Sequence, residues 1–210
     1  MNPKNNKDPF PENHWHPMLH WIGKIALRIT GWRLTGTAPP DPKFVAVCGP
    51  HTSNWDLPVF MMLAFAVNIR GKWLAKHTLF RWPLGWLFRR LGGIAVDRRA
   101  AHNVVHQVVN EFNRHKAMVL GIAPEGTRRF TDHWKSGFYQ IALAANVPIL
   151  LGYADFARKE GGVADIFLPS GDLEADLQRI RQAFEKVTPK RPENRSLIRF
   201  KETPSEKDKS

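Results

Sequence analysis

Short apolar runs, separated by segments of helical length and joined by loops of a few residues, limit the fold of this chain more than any other feature. Phe44-Val45-Ala46-Val47-Cys48 is the first long one, and Lys72–Ala75, Ile94–Val96, Met118–Ala123, Val147–Tyr153 and Val163–Leu168 follow. Between them, Asp56–Asn68, Ala100–His115 and Ser136–Asn146 read as helices. A last helix runs from Asp172 to about Val187, with Asp172 or Gly171 as its cap. Strands alternating with helices predict an α/β layer architecture, a mostly parallel central sheet flanked by helices. At 210 residues the chain supports one sizeable core rather than two full domains. Residues 1–14 read as a disordered lead-in and 15–34 as an N-terminal amphipathic helix lying on a membrane surface. The domain that carries the chemistry spans 35–188, and 189–210 reads as a charged mobile tail.

The charge balance calls for an acidic partner. Lys and Arg outnumber Asp and Glu by 31 to 19, a formal charge of +12, and nucleic acid or anionic membrane would both suit it. Eight Trp against two Tyr favour the boundary between lipid and water. Met18, Trp21, Ile22, Ile25, Ala26, Ile29 and Trp32 recur at helical spacing, His20, Lys24 and Arg28 occupy another face, and Gly31 is a stop. The pattern suits an interfacial anchor, and it also suits a helix packed on its own domain. No apolar run approaches the roughly 20 residues of a membrane span, and the polar opening residues show no secretory signal. A peripheral protein on the cytoplasmic side of a membrane is the expectation. The single cysteine, Cys48, excludes an intramolecular disulfide and reads as a small buried hydrophobe in a strand. The histidines are scattered, so neither a metal site nor another cofactor is expected.

Three clusters could carry chemistry. In Gly49-Pro50-His51-Thr52-Ser53-Asn54-Trp55-Asp56, an apolar strand ends in a turn that holds a histidine and a carboxylate five positions apart. A carboxylate beside an imidazole fixes its tautomer and favours its protonated form, as a general base requires. The same residues also fit a helix start, with Ser53 and Asp56 as a capping box. The second cluster, Pro124-Glu125-Gly126-Thr127-Arg128-Arg129, follows another apolar strand. Ligands bind beyond the carboxyl ends of parallel strands, glycine lets them approach the backbone, and arginine grips phosphate through a bidentate fork. Glu125 could orient that arginine or a loop amide. The third runs from Arg70 to Arg99, where eight basic residues and one acid, Asp97, interleave with Trp73, Phe80, Trp82, Trp86 and Phe88. Such a surface would suit nucleic acid or a lipid interface.

The order of these blocks is more specific than any one of them. His-x4-Asp after a strand, Lys76 and Pro83-x-Gly85 leading to Gly93-Ile94-Ala95-Val96-Asp97-Arg98, Glu125-Gly126-Thr127-Arg128, and Val147-Pro148-Ile149 occur in turn over roughly residues 44 to 170. The chain resembles the lysophosphatidic acid acyltransferase family of glycerolipid acyltransferases. That resemblance implies phospholipid biosynthesis: transfer of a fatty acyl group from acyl-CoA or acyl-carrier protein to a hydroxyl of a lysophospholipid, at an anionic membrane surface and without nucleic acid. It implies catalysis by His51 with Asp56, and binding of the acceptor phosphate by Glu125, Gly126, Thr127 and Arg128. Lys76 and Arg98 would then lie near phosphate or the thioester oxygen, and Val147, Pro148 and Ile149 on the acyl-chain side.

The residues by themselves agree with direct transfer. A hydroxyl needs a base to attack a thioester, and no serine or cysteine nucleophile is needed between donor and acceptor. Lys76 or loop amides beside His51 could meet the oxyanion. The competing functions are a non-catalytic basic module for anionic lipid or nucleic acid, and a thioesterase-like hydrolase using the same His–Asp pair on water. The first would bind in a salt-dependent manner regardless of His51, and the second would release thiol without an acceptor.

Overall fold

The structure, a computed structural model, describes residues 14–37, 39, 41–76, 81, 84–96 and 101–201. Seven strands form one sheet: β1 Arg33–Thr35, β2 Lys43–Gly49, β3 Lys72–Lys76, β4 Gly93–Val96, β5 Met118–Ile122, β6 Ile149–Asp155 and β7 Glu160–Phe167. Their spatial order is β1-β7-β6-β2-β5-β3-β4. Every neighbouring pair is parallel except the β6–β7 hairpin. Among the described residues six helices accompany them: α1 Pro17–Thr30, α2 Asp56–Ala66, α3 Gly85–Arg90, α4 Ala101–Arg114, α5 Gly137–Ala145 and α6 Leu173–Phe184. The expected α/β class is therefore observed, with element boundaries within a few residues of those read from periodicity.

β2 sits at the centre, between β5 and β6, and is covered on both faces. Alternation along the strand sends Val45 and Val47 into a large core built from α4, α5 and α6, with Phe112, Phe138, Ile141, Ile180 and Phe184 fully enclosed. Phe44 and Ala46 point to the opposite face, against Val119, Leu150 and Ile166. A strand buried on both faces reads as a continuous apolar run, which is why Phe44–Cys48 carries no polar residue. On that second face α2 contributes Val59, Leu63 and Ala66, and α1 packs on α2 through Leu27.

Three points refine the expectations: the first and the last are corrections, and the second narrows a reading left open. β1 falls within the stretch read as the end of the anchor and a loop; three residues are too few for a periodic signal, and its pairing with β7 supplies the order. α1 buries Gly23 and Leu27 against α2, while Met18, Trp21, Ile22, Ile25 and Ile29 remain exposed. A Cβ on Gly23 would come within 2.5 Å of the Ala66 nitrogen, so glycine sets the approach of the two helices. The apolar stripe is thus not the face that packs on the domain. Third, residues 189–200 are not a free tail. Val187 and Pro189 are buried, Pro192–Asn194 forms a single 3-10 turn, and Phe200 bridges to Trp134.

Candidate active site

β2 delivers its last residue, Gly49, to the carboxyl edge of the sheet, and residues 50–55 cross that edge before α2 begins at Asp56. The Asp56 carboxylate is 1% exposed, and His51 Nδ1 lies 3.0 Å from its Oδ2. The same oxygen accepts the backbone N–H of Thr52 at 2.7 Å and of Ser53 at 2.8 Å. With Nδ1–H donated to Asp56, the imidazole presents Nε2 as its basic nitrogen, on a side chain that is 22% exposed. The expected pairing of His51 with Asp56 is present, and Asp56 also begins the helix. Half of the expected capping box forms as well: Ser53 N–H reaches Asp56, while the Ser53 hydroxyl oxygen accepts Trp55 N–H rather than that of Asp56.

Glu125 takes one of the two roles read for it from the residues, that of orienting a loop amide. It lies beyond the carboxyl end of β5, 4% exposed, and its Oε1 accepts the backbone N–H of His51 at 3.0 Å. Oε2 is buried and meets no partner among the described residues. Burial pushes the carboxyl up to about 7, against the lowering effect of the His51 N–H. A buried carboxyl with one oxygen unmatched favours its neutral form. Glu125 faces the underside of the histidine loop and holds one of its amides. Gly126 adopts φ +62°, a left-handed turn that aims the following residues away from the core. Thr127 and Arg128 are exposed, and an Arg128 Nη1–H donates to Asn54 Oδ1. Arg128 is therefore tethered to the histidine loop itself. Asn54 was not among the residues expected in the site; nothing in the spacing of an asparagine within a turn distinguishes it from a turn former.

The backbone N–H groups of His51, Thr52 and Ser53 are all taken by Glu125 or Asp56, so these amides cannot serve as the oxyanion donors considered above. Lys76 ends β3, the strand next to β5, at the same edge of the sheet. Arg98 lies outside the described residues. Within the basic, aromatic stretch, Trp73 donates its indole N–H to the Leu91 carbonyl and packs edge-on against Phe88, whereas Trp86 is exposed.

Val147, Pro148 and Ile149 sit at the other end of the sheet. Ile149 is paired with Val45, and Pro148 O accepts Val45 N–H. Val45 is four residues before the end of β2 at Gly49, about 13 Å along the strand, and His51 lies beyond that end. Val147 and Ile149 are buried in the main core. Their apolar character belongs to that core, and the structure does not bring them to the histidine.

Cys48 is held far from thiolate chemistry, its thiol pushed up to about 12 by burial and by the nearby Glu125. A route through a cysteine acyl-enzyme is thereby disfavoured, as expected from its place in the strand. Among the described residues no cluster of His, Cys, Asp and Glu could hold a metal ion.

The family model described as Acyltransferase matches residues 33–150, just over half of the 210 residues. Among solved structures, the chain is similar to the crystal structure of the 1-acyl-sn-glycerophosphate acyltransferase PlsC from Thermotoga maritima. The two share 22% identity with a TM-score of 0.52, over 80% of this chain and 78% of that one. A search of curated protein sequences finds no match.

Proposed function

This chain belongs to the acyltransferase family, and from that premise we propose that it moves a fatty acyl group from acyl-CoA or acyl-carrier protein to a hydroxyl of a lysophospholipid. The observation that carries this reading is the His51–Asp56 pair at 3.0 Å, its carboxylate buried and fixed by two backbone N–H groups. Such a pair has one use that its surroundings favour. His51 Nε2 takes the proton of the acceptor hydroxyl as its oxygen attacks the thioester carbon, and Asp56 stabilises the imidazolium that results. The tetrahedral intermediate collapses with cleavage of the carbon–sulfur bond. The thiolate leaves and recovers the proton from the imidazolium, so the enzyme returns to its starting state. Since the amides of residues 51–53 are engaged, the oxyanion falls to donors off this loop, for which Lys76 and Arg98 are the candidates.

The exposed Arg128 beside His51 supports an acceptor with a phosphate, and the likeness to PlsC is consistent with a lysophosphatidate-type substrate. The exposed apolar face of α1 supports work at a membrane surface: Trp21 is 62% and Ile29 80% exposed, with Lys24 stacked over the Trp21 ring. Among the described residues no helix is long and apolar enough to cross a membrane. In this reading the enzyme is peripheral, on the cytoplasmic side, and needs no cofactor.

The test is an acceptor panel. Purified protein is given one acyl-CoA or one acyl-carrier protein, with 1-acylglycerol 3-phosphate, other lysophospholipids or no acceptor, and both thiol release and lipid product are followed. Acceptor-dependent thiol release with a matching diacyl product is expected. Equal thiol release without acceptor would instead assign the pair to hydrolysis.

A further inference from the structure

The segment 188–200, outside the residues matched by the family model, is hydrogen-bonded to the histidine loop at the carboxyl edge of the sheet. It begins at the end of β6, where Thr188 N–H donates to Asp155. Arg191 N–H then donates to the buried Thr52 Oγ1 at 3.1 Å, and Asn194 reaches the Thr52 carbonyl at 3.5 Å. Further on, Leu197 N–H donates to the Thr131 carbonyl, and Trp134 N–H to that of Arg199. The strap thus spans from β6, past the residue after His51, to the loop that follows Arg128.

Its cations are not equivalent. Lys190 lies over the Phe156 ring, Arg195 donates to carbonyls at the carboxyl end of α6, and Arg199 donates to the Asp132 carbonyl. Arg191 is exposed, and its guanidinium meets no hydrogen-bond or ion-pair partner among the described residues. Its backbone is nevertheless pinned one residue from His51. Arg128, tethered through Asn54, stands at the other end of the same short loop. A fixed backbone carrying an open guanidinium at the edge of a reaction site is how a protein presents a bidentate phosphate contact.

We propose that Arg191 is a phosphate-binding residue of the active site, contributed by the carboxyl-terminal strap and separate from the Arg128 contact. Both proposed substrates carry phosphate, the acceptor in its headgroup and the donor in its phosphopantetheine arm, so the chemistry is shared and the experiment separates the sources. The kinetic part rests on the acyl-transfer reading, whereas the binding part does not.

The Thr52 contact is made by the backbone of Arg191, so side-chain replacement leaves it in place and reads the guanidinium alone. Coenzyme A and glycerol 3-phosphate are titrated into the full chain, with pantetheine and glycerol as phosphate-free counterparts. Arg191→Ala is expected to weaken one phosphate probe by about tenfold, with Arg191→Lys recovering most of the loss and the phosphate-free counterparts unaffected. Lys186→Ala, an exposed cation just before the strap, should bind as the wild type does. Weaker coenzyme A binding places the donor there, and weaker glycerol 3-phosphate binding the acceptor. In turnover, KM for that same substrate should rise while kcat stays within about twofold. Equal binding by wild type and Arg191→Ala, or no binding of either phosphate probe, overturns the proposal. A wild type that shows the Arg191 effect but transfers no acyl group would instead contradict the proposed reaction.

Discussion

At the scale of single residues, two buried carboxyl groups hold the histidine loop in different ways. Asp56 takes two backbone N–H bonds and the His51 ring. Glu125 takes one N–H, is buried, and is pushed up to about 7. A Glu raised in this way binds a proton in the folded chain that the unfolded chain has already released, from its ordinary value of 4.5 up to about 7. Its contribution is therefore largest at low pH and is lost as pH rises through that window, by about 3 kcal/mol in full. Glu125→Gln keeps an acceptor for His51 N–H and cannot titrate. Urea unfolding should show the wild type losing stability relative to this variant between about pH 4.5 and about pH 7; a constant difference would contradict the buried, neutral-leaning carboxyl. The spacing of His51 and Asp56 made their pairing legible in the sequence. The role of Glu125 was legible only in part, since a glutamate followed by glycine and arginine reads equally well as a group that orients a loop amide and as a ligand-facing one. Only the tertiary placement of β5 beside β2 puts its Oε1 under the His51 amide.

At the scale of elements, α1 shows why periodicity alone leaves two readings open. Its apolar stripe predicted burial against something, and the packing surface is instead the narrow ridge of Gly23 and Leu27, with His20 near the Phe65 carbonyl. Small residues there let α1 approach α2 closely, and the larger side chains are left facing outward. Transfer of each large apolar side chain from water to lipid is worth about 1.5–3 kcal/mol. Ile25→Glu and Trp21→Ser together should reduce sedimentation with phosphatidylglycerol vesicles by about a hundredfold or more in partition coefficient, without changing the unfolding midpoint by much. Undiminished vesicle binding would remove α1 as the lipid contact. The Val147-Pro148-Ile149 block is the converse case: an apolar motif whose order along the chain pointed to the site, but whose register with Val45 places it in the core at the far edge.

At the scale of the whole molecule, the carboxyl edges of β2 and β5 gather the chemistry, and the strap 188–200 is hydrogen-bonded to the histidine loop there. The α/β class was legible because β2, β5 and β6 are buried on both faces and so appear as unbroken apolar runs. The strap was not, because it is extended and highly charged; only Leu197, Ile198 and Phe200 within it hinted at packing. Thr52→Val keeps the shape of the side chain but leaves the Arg191 N–H without its acceptor, at a cost of about 1–3 kcal/mol. Urea denaturation measures this, and a variant as stable as the wild type would mean that the strap is not fastened at Thr52. The central claim is that His51 is the base for acyl transfer. Its most direct test compares wild type with His51→Ala for acceptor-dependent thiol release from acyl-CoA with 1-acylglycerol 3-phosphate, after circular dichroism shows equal folding. The account predicts a fall in kcat of about 10³-fold with KM little changed. A variant retaining turnover within about tenfold of the wild type would contradict it.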